Sequence, residues 1–165
     1  MGTYHGPMSK REKAHLPEKR LTIFEVEALV EVTWQPSLAA VYLKWFSEYD
    51  EGTRVRDAVM AAISWVRAHG VRHWVADVST SPHALSEKDY QWVSGKAFRS
   101  AIVNSPLQKF VLIPPLPSSG QDDSWVAAWE RNTLEKFGES VAARVCRDEE
   151  EVRAFLREAP KPPLS

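Results

Sequence analysis

Gly70-Val71-Arg72-His73-Trp74-Val75-Ala76-Asp77-Val78-Ser79 is the stretch on which the fold turns. A glycine that can stop a helix is followed at once by a run containing Trp74, Val75, Ala76 and Val78. Such a run suits a central strand covered on both faces, the usual condition of strands in a parallel sheet. Just upstream, Val55, Val59, Ile63 and Val66 recur at the 3.6-residue period, with Ala58 and Ala62 beside them. This predicts an amphipathic helix capped by Thr53 and closed by Gly70 in the left-handed conformation.

Working outward, three short segments before that helix alternate at period two: Thr22–Glu27, Leu29–Trp34 and, past Pro36 and Ser37, Leu38–Phe46. On the other side, Ser86 is placed to cap a helix, with Asp89 in the acidic return position and Leu85 and Tyr90 as a hydrophobic staple. Its stripe runs through Val93, Ala97, Phe98, Ala101 and Ile102 and stops before Pro106. A strand over Gln108–Ile113 is halted by Pro114 and Pro115, and the loop Pro114–Ser124 is too rich in Pro, Ser, Gly and Asp for a regular element. A helix over Ser124–Phe137, a strand over Val141–Cys146 and a helix capped by Asp148 complete the chain, the last supported by Glu151 and ended by Pro160. The expected fold is α/β, a mixed sheet with packed helices in the order β-β-β-α-β-α-β-α-β-α.

At 165 residues, 44% hydrophobic and 26% charged, the chain has the size and composition of one globular domain. Residues 21–158 are expected to form it, between a disordered N-terminal tail over 1–20 and a Pro-rich C-terminal tail over 159–165. No apolar run approaches the roughly 20 residues of a membrane helix, and the polar N-terminus does not read as a secretory signal. Cys146 is the only cysteine, so no internal disulfide forms. Together these features predict a cytoplasmic protein without integral membrane association. The net charge of −1 combines a basic leader, with five Lys and Arg against Glu12 and Glu18, and an acidic body. Nucleic-acid binding needs a concentrated basic surface to displace counterions, and an acidic body with a short basic leader argues against it.

The same order resembles the STAS-like domains, in particular the small stand-alone bacterial proteins similar to anti-sigma-factor antagonists. The resemblance covers residues 21–158. It rests on Gly70-Val71-Arg72-His73-Trp74-Val75-Ala76-Asp77, on Ser86-Glu87-Lys88-Asp89-Tyr90-Gln91-Trp92, and on Cys146-Arg147-Asp148-Glu149-Glu150-Glu151-Val152 before Phe155-Leu156. It implies a protein-interaction or small-ligand-binding module, in several members a homodimer. Regulatory members carry an Asp-Ser-x-Gly-like stretch at the start of the second helix, where a partner kinase phosphorylates the serine. Here that place reads Ala84-Leu85-Ser86-Glu87-Lys88: Ser86 aligns with the acceptor, but the aspartate and glycine are missing. A plain helix cap explains Ser86 as well.

Chemistry is sparse. Gly95-Lys96 lacks the rest of a phosphate loop, with Tyr90 and Ala97 where the motif needs glycine and a hydroxyl. His69 and His73 are four apart, but Gly70 divides them and no further ligand completes a metal site. Cys146, among Val and Ala, reads as a small buried hydrophobe. Asp77 stands near the C-terminal end of the central strand, where open α/β sheets bind ligands, and Ser79, Ser81 and His83 follow it. A phosphotransferase would want an acid where Ser79 stands, and a serine hydrolase a glycine-flanked elbow that is absent. Trp92 falls off the stripe of the second helix, and Trp125 opens the third directly after the 114–124 loop, so both are candidate contact residues.

The reading placed first is a non-enzymatic binding module that recognises a protein partner or forms a homodimer. Its edge would comprise Asp77, Ser79, Ser81, His83, Ser86, Trp92 and Trp125. A binder of a small apolar molecule or lipid is placed second. A small hydrolase-type enzyme centred on Asp77, helped by His73 or His83, is placed third. No cofactor and no metal are expected.

Overall fold

A computed structural model describes residues 16–159, apart from the side chains of residues 133–136. The expected disorder of residues 1–15 and the expected Pro-rich tail over 160–165 lie outside the described residues. Ordered contacts begin before Leu21, where the sequence reading places the start of the domain. Leu16 packs against the core, and the Pro17 carbonyl accepts the Trp34 indole N–H at 2.8 Å.

The elements are β1 (Leu21–Val26), β2 (Val30–Gln35), β3 (Ala40–Trp45), α1 (Arg54–His69), β4 (His73–Asp77), α2 (Glu87–Val93), α3 (Lys96–Val103), β5 (Lys109–Ile113), α4 (Trp125–Phe137), β6 (Ala142–Val145) and α5 (Glu149–Arg157). They build one six-stranded mixed sheet in the spatial order β1-β2-β3-β4-β5-β6. The first two pairings are antiparallel and the remaining three parallel. Parallel neighbours need crossovers, supplied by α1, by α2 with α3, and by α4. Right-handed crossovers that all advance in one direction lay their helices on one face. In keeping with this, Val59 and Ile63 of α1, Phe98 and Ile102 of α3, and Val126 and Phe137 of α4 share a single core with Trp34, Leu43, Trp74 and Phe110 of the sheet.

The opposite face is built differently. Its core is small, joining Val152, Phe155 and Leu156 of α5 to Leu38, Ala40, Val75, Val111 and Cys146. The central strand is therefore covered on both sides, Trp74 toward the helix layer and Val75 toward α5. Lys109 projects from β5 to the end of α5, where Nζ donates to the Phe155 carbonyl at 2.6 Å and to the Glu158 carbonyl. Helix ends leave carbonyls without partners, and here a buried cation satisfies two of them. α5 spans only part of the face, and the polar side of β2 lies beside it, with Glu31 and Gln35 half-buried and Thr33 buried between them.

Four local expectations are corrected. The second helix is two helices, because the chain leaves helical geometry at Gly95 (φ −92°, ψ 177°), which opens α3 instead of continuing α2. The Leu85–Tyr90 staple does not form, since Tyr90 is 59% exposed. Thr53 makes no capping hydrogen bond; Asp50 accepts the Arg54 N–H at 3.2 Å and caps α1 in its place. The third strand starts at Ala40, because Ala39 takes φ +51° in the turn before it.

Ala28, at φ +63°, is the second alanine in left-handed backbone. Such a conformation costs an L residue about 1 kcal/mol, partly offset by the entropy glycine loses on folding. Ala28→Gly and Ala39→Gly should each raise stability by roughly 0.5 kcal/mol in urea unfolding. A loss at either site would mean that the methyl group matters more than the backbone strain.

Candidate functional site

Asp77 ends β4 on the α5 side of the sheet, and the β3–β4 register sets Lys44 directly beside it. Tyr42, two residues before Lys44, shares that face. The Asp77 carboxylate accepts on both oxygens. Oδ2 receives the Tyr42 hydroxyl at 2.5 Å and Lys44 Nζ at 3.4 Å. Oδ1 receives the Ser79 hydroxyl at 2.6 Å and the Ser79 N–H at 2.9 Å. Lys44 Nζ also reaches Ser79 Oγ at 3.3 Å. Although burial opposes its charge, the hydrogen bonds from Ser79 and Tyr42 and the Lys44 cation hold Asp77 below the usual carboxylate range. Burial and the adjacent carboxylate push the Tyr42 hydroxyl far above the usual tyrosine range. Asp77 thus stays ionised and Tyr42 neutral at physiological pH, and neither is poised to exchange a proton.

The cluster opens into a groove of about 450 Å³ between the bare part of the sheet and the first turns of α5. Its floor carries Thr33, Tyr42, Lys44 and Ser79; its rim carries Arg20, Arg147 and Arg153, opposed by Glu31, Asp148 and Glu149. Ion pairs join Arg20 to Glu31 at 3.3 Å and Arg153 to Glu149 at 3.6 Å. The charges of the rim balance, while Leu38, Ile113, Leu116 and Val152 add an apolar part to the lining.

Replacing Asp77 with asparagine halves the acceptor set and leaves Lys44 without its counter-charge. Asp77→Asn should cost about 2 kcal/mol at pH 7. Because the native carboxyl is depressed, the wild-type advantage is present above the unfolded pKa near 4 and fades as pH falls through the native value. Urea titrations of both proteins at pH 7 and pH 3 check it; a difference equally large at pH 3 would show that the charge is irrelevant.

Ser81, His83 and Trp125 gather at a second place, where the loops after β3, β4 and β5 meet. The Glu48 N–H donates to Ser81 Oγ at 3.0 Å, and Ser81 Oγ donates to the His83 carbonyl at 2.9 Å. Gln121 is the hub: its Nε2 donates to Glu48 Oε2 at 3.0 Å and to the Ser81 carbonyl at 2.8 Å, while its Oε1 accepts the Trp125 indole N–H at 3.1 Å. Glu48 is only 6% exposed, no cation among the described residues pairs with its carboxylate, and burial pushes its pKa up to about 7.

The other singled-out residues stand apart. Ser86 caps α2 by accepting the Asp89 N–H at 3.2 Å, and is half-buried. Asp89 does not turn back toward the cap; it is fully buried and faces Arg56 of α1 at 3.5 Å. Trp92 lies half-buried against the core, its ring 5.6 Å from Phe98, and the exposed aromatic of that helix is Tyr90. His73 Nδ1 bonds the Leu38 carbonyl at 3.1 Å and sits four strand residues, roughly 13 Å, from Asp77, so the pair cannot work together. His69 stacks on Trp65 with centroids 3.8 Å apart and does not converge with His73. Burial pushes the Cys146 thiol up to about 11, which makes it a poor nucleophile.

Compared with known proteins, the chain matches no family model, no curated protein and no solved structure. The site rests on its own geometry. Among the described residues, no cluster of His, Cys, Asp or Glu is placed to hold a metal ion, and no helix is long and apolar enough to cross a membrane.

Tyr42, Lys44, Glu48 and Gln121 are the functional candidates that the sequence reading passes over. Tyr42 and Lys44 occupy the polar phase of β3, a signal visible in the sequence. Their meaning depends on the register with β4. Glu48 and Gln121 are 73 positions apart, in loops that carry no local sign of their pairing.

Proposed function

We propose that the chain is a non-enzymatic, STAS-like interaction or regulatory module. It would engage its partner through the groove beside Asp77 and the loops at the ends of β3, β4 and β5. The observation that carries this reading is the full commitment of Asp77: both carboxylate oxygens are occupied by Tyr42, Lys44 and Ser79. An enzyme centred there would need a free acid or base aimed at a substrate, and this carboxylate is spent on holding three side chains in place. The result is a rigid polar floor under an open groove, which suits recognition. The charged rim speaks against an acyl chain as the occupant, and Ser86 is accounted for by its capping role.

The test combines two measurements. The purified chain is screened against general hydrolase and phosphatase substrates beside Asp77→Asn, and no turnover attributable to Asp77 is expected. Native mass spectrometry then compares wild type with Lys44→Ala for a retained molecule or a second copy, which the variant should release. An activity present in wild type and abolished in Asp77→Asn would overturn the non-enzymatic reading.

A further inference from the structure

At the C-terminal ends of the parallel strands, large apolar side chains face water. Phe46 is 44% exposed, Tyr49 47% and Leu116 44%. Monomeric proteins rarely leave several such groups together unless something covers them. These loops lie side by side: Gln121 reaches Glu48 at 3.0 Å, Lys88 Nζ reaches the Glu51 carbonyl at 3.0 Å, and the Leu116 N–H reaches the Ser79 carbonyl at 2.9 Å. The clasp around Gln121 holds them in fixed positions, so a partner would find the surface already formed.

The charges around this surface are net acidic. Glu51, Glu87, Asp122 and Asp123 are exposed there. Of the nearby cations, Lys88 is tied to the Glu51 carbonyl and Arg54 is paired with Asp50 at 2.6 Å. Asp122 accepts the Ser124 hydroxyl and N–H, which hold its carboxyl below the usual range and keep it charged. The groove beside Asp77 has balanced charge; it shares Leu116 with this surface, but Phe46, Tyr49, Glu51, Asp122 and Asp123 do not line it.

We infer that the strand-end loops form a protein-docking surface for a basic, apolar peptide segment, with Phe46, Tyr49 and Leu116 meeting its apolar side chains and Glu51, Asp122 and Asp123 meeting its Lys or Arg. Apolar contact supplies the affinity, and the acidic rim selects the sign of the partner and speeds encounter. The surface adjoins the groove at Leu116 and extends the proposed interface beyond it; substitutions at Phe46, Tyr49, Glu51 and Asp123, which do not line the groove, test it apart.

The probe is a 14-residue peptide alternating leucine with lysine, compared with the same peptide carrying glutamate in place of every lysine. Titration calorimetry with the full chain should detect the basic peptide and not the acidic one, with affinity falling as salt rises. Glu51→Gln with Asp123→Asn, and separately Phe46→Ser with Tyr49→Ser, should each weaken binding at least tenfold. All four positions are exposed, and circular dichroism would verify that the variants fold. Lys44→Ala, in the groove, should leave peptide binding unchanged. Equal affinity in wild type and both double variants, or no binding of the basic peptide at all, would overturn the inference. So would a concentration-dependent dimer that Phe46→Ser dissolves while the peptide fails to bind, because the surface would then belong to a second copy of the chain.

Discussion

Glu48→Gln should leave stability unchanged at pH 4 and raise it by about 3 kcal/mol at pH 8. Glu48 is a buried carboxyl whose neighbours are a glutamine and a serine rather than a cation, and its pKa is pushed up to about 7 from 4.5. The folded chain therefore keeps this proton to higher pH than the unfolded chain does. Its contribution is full below the unfolded value and is lost as pH rises from about 4.5 through about 7. Glutamine resembles the protonated acid in shape and charge, and its carbonyl can still accept from Gln121. The quantity to measure is the difference between the two proteins in urea unfolding at each pH, which cancels every other titrating group. A difference that does not grow between pH 4 and pH 8 would show that Glu48 is better solvated, or better paired, than its burial implies. The same substitution should tighten the clasp that joins the three loops, since the hub then never faces an unpaired charge.

Lys109→Met should cost about 3 kcal/mol and should loosen α5 before anything else. Methionine keeps the length of the stem but not the cation, so the Glu158 carbonyl loses the Lys109 donor and the Phe155 carbonyl keeps only the Glu158 N–H at 3.2 Å. The cation also lies 5.2 Å from the centre of the Phe155 ring, a contact that methionine replaces only in part. Arg144 remains, 4.3 Å from the same ring and 2.8 Å from the Glu158 carboxylate, and keeps the helix from detaching outright. Amide hydrogen exchange separates local from global effects: protection should fall across residues 152–157 more than across 109–113. Uniform loss in both segments would mean that Lys109 supports the sheet and not the helix.

How far the sequence revealed this molecule varies with the range of the interaction. The central strand, the helix closed by Gly70 and the caps at Ser86 and Asp148 are local, and the structure has them where their residues imply. The misread helix has a physical cause. A stripe traced through Val93, Ala97 and Ala101 assumes an unbroken rod, and the break at Gly95 resets its phase. Trp92 then meets Phe98 across the break, where a continuous helix would have turned it outward. Asp77 was identifiable from its place at a strand end. Its partners were not, because Tyr42 and Lys44 meet it only through the pairing of β3 with β4. Likewise the acidic spacing after Ser86 suggested a capping box at Asp89, while burial against Arg56 decided where that side chain went.

Spatial order that repeats chain order has a consequence for how this protein is made. Each new strand as it leaves the ribosome finds its neighbour already in place, so the sheet can grow from one margin to the other without waiting for distant sequence. The terminal helix is the exception, since its seat on Ala40, Val75 and Val111 is complete only after synthesis has passed them all. A released chain truncated after residue 146 would carry a nearly finished sheet with an uncovered oily floor, and chaperone capture should be greater for it than for the full chain.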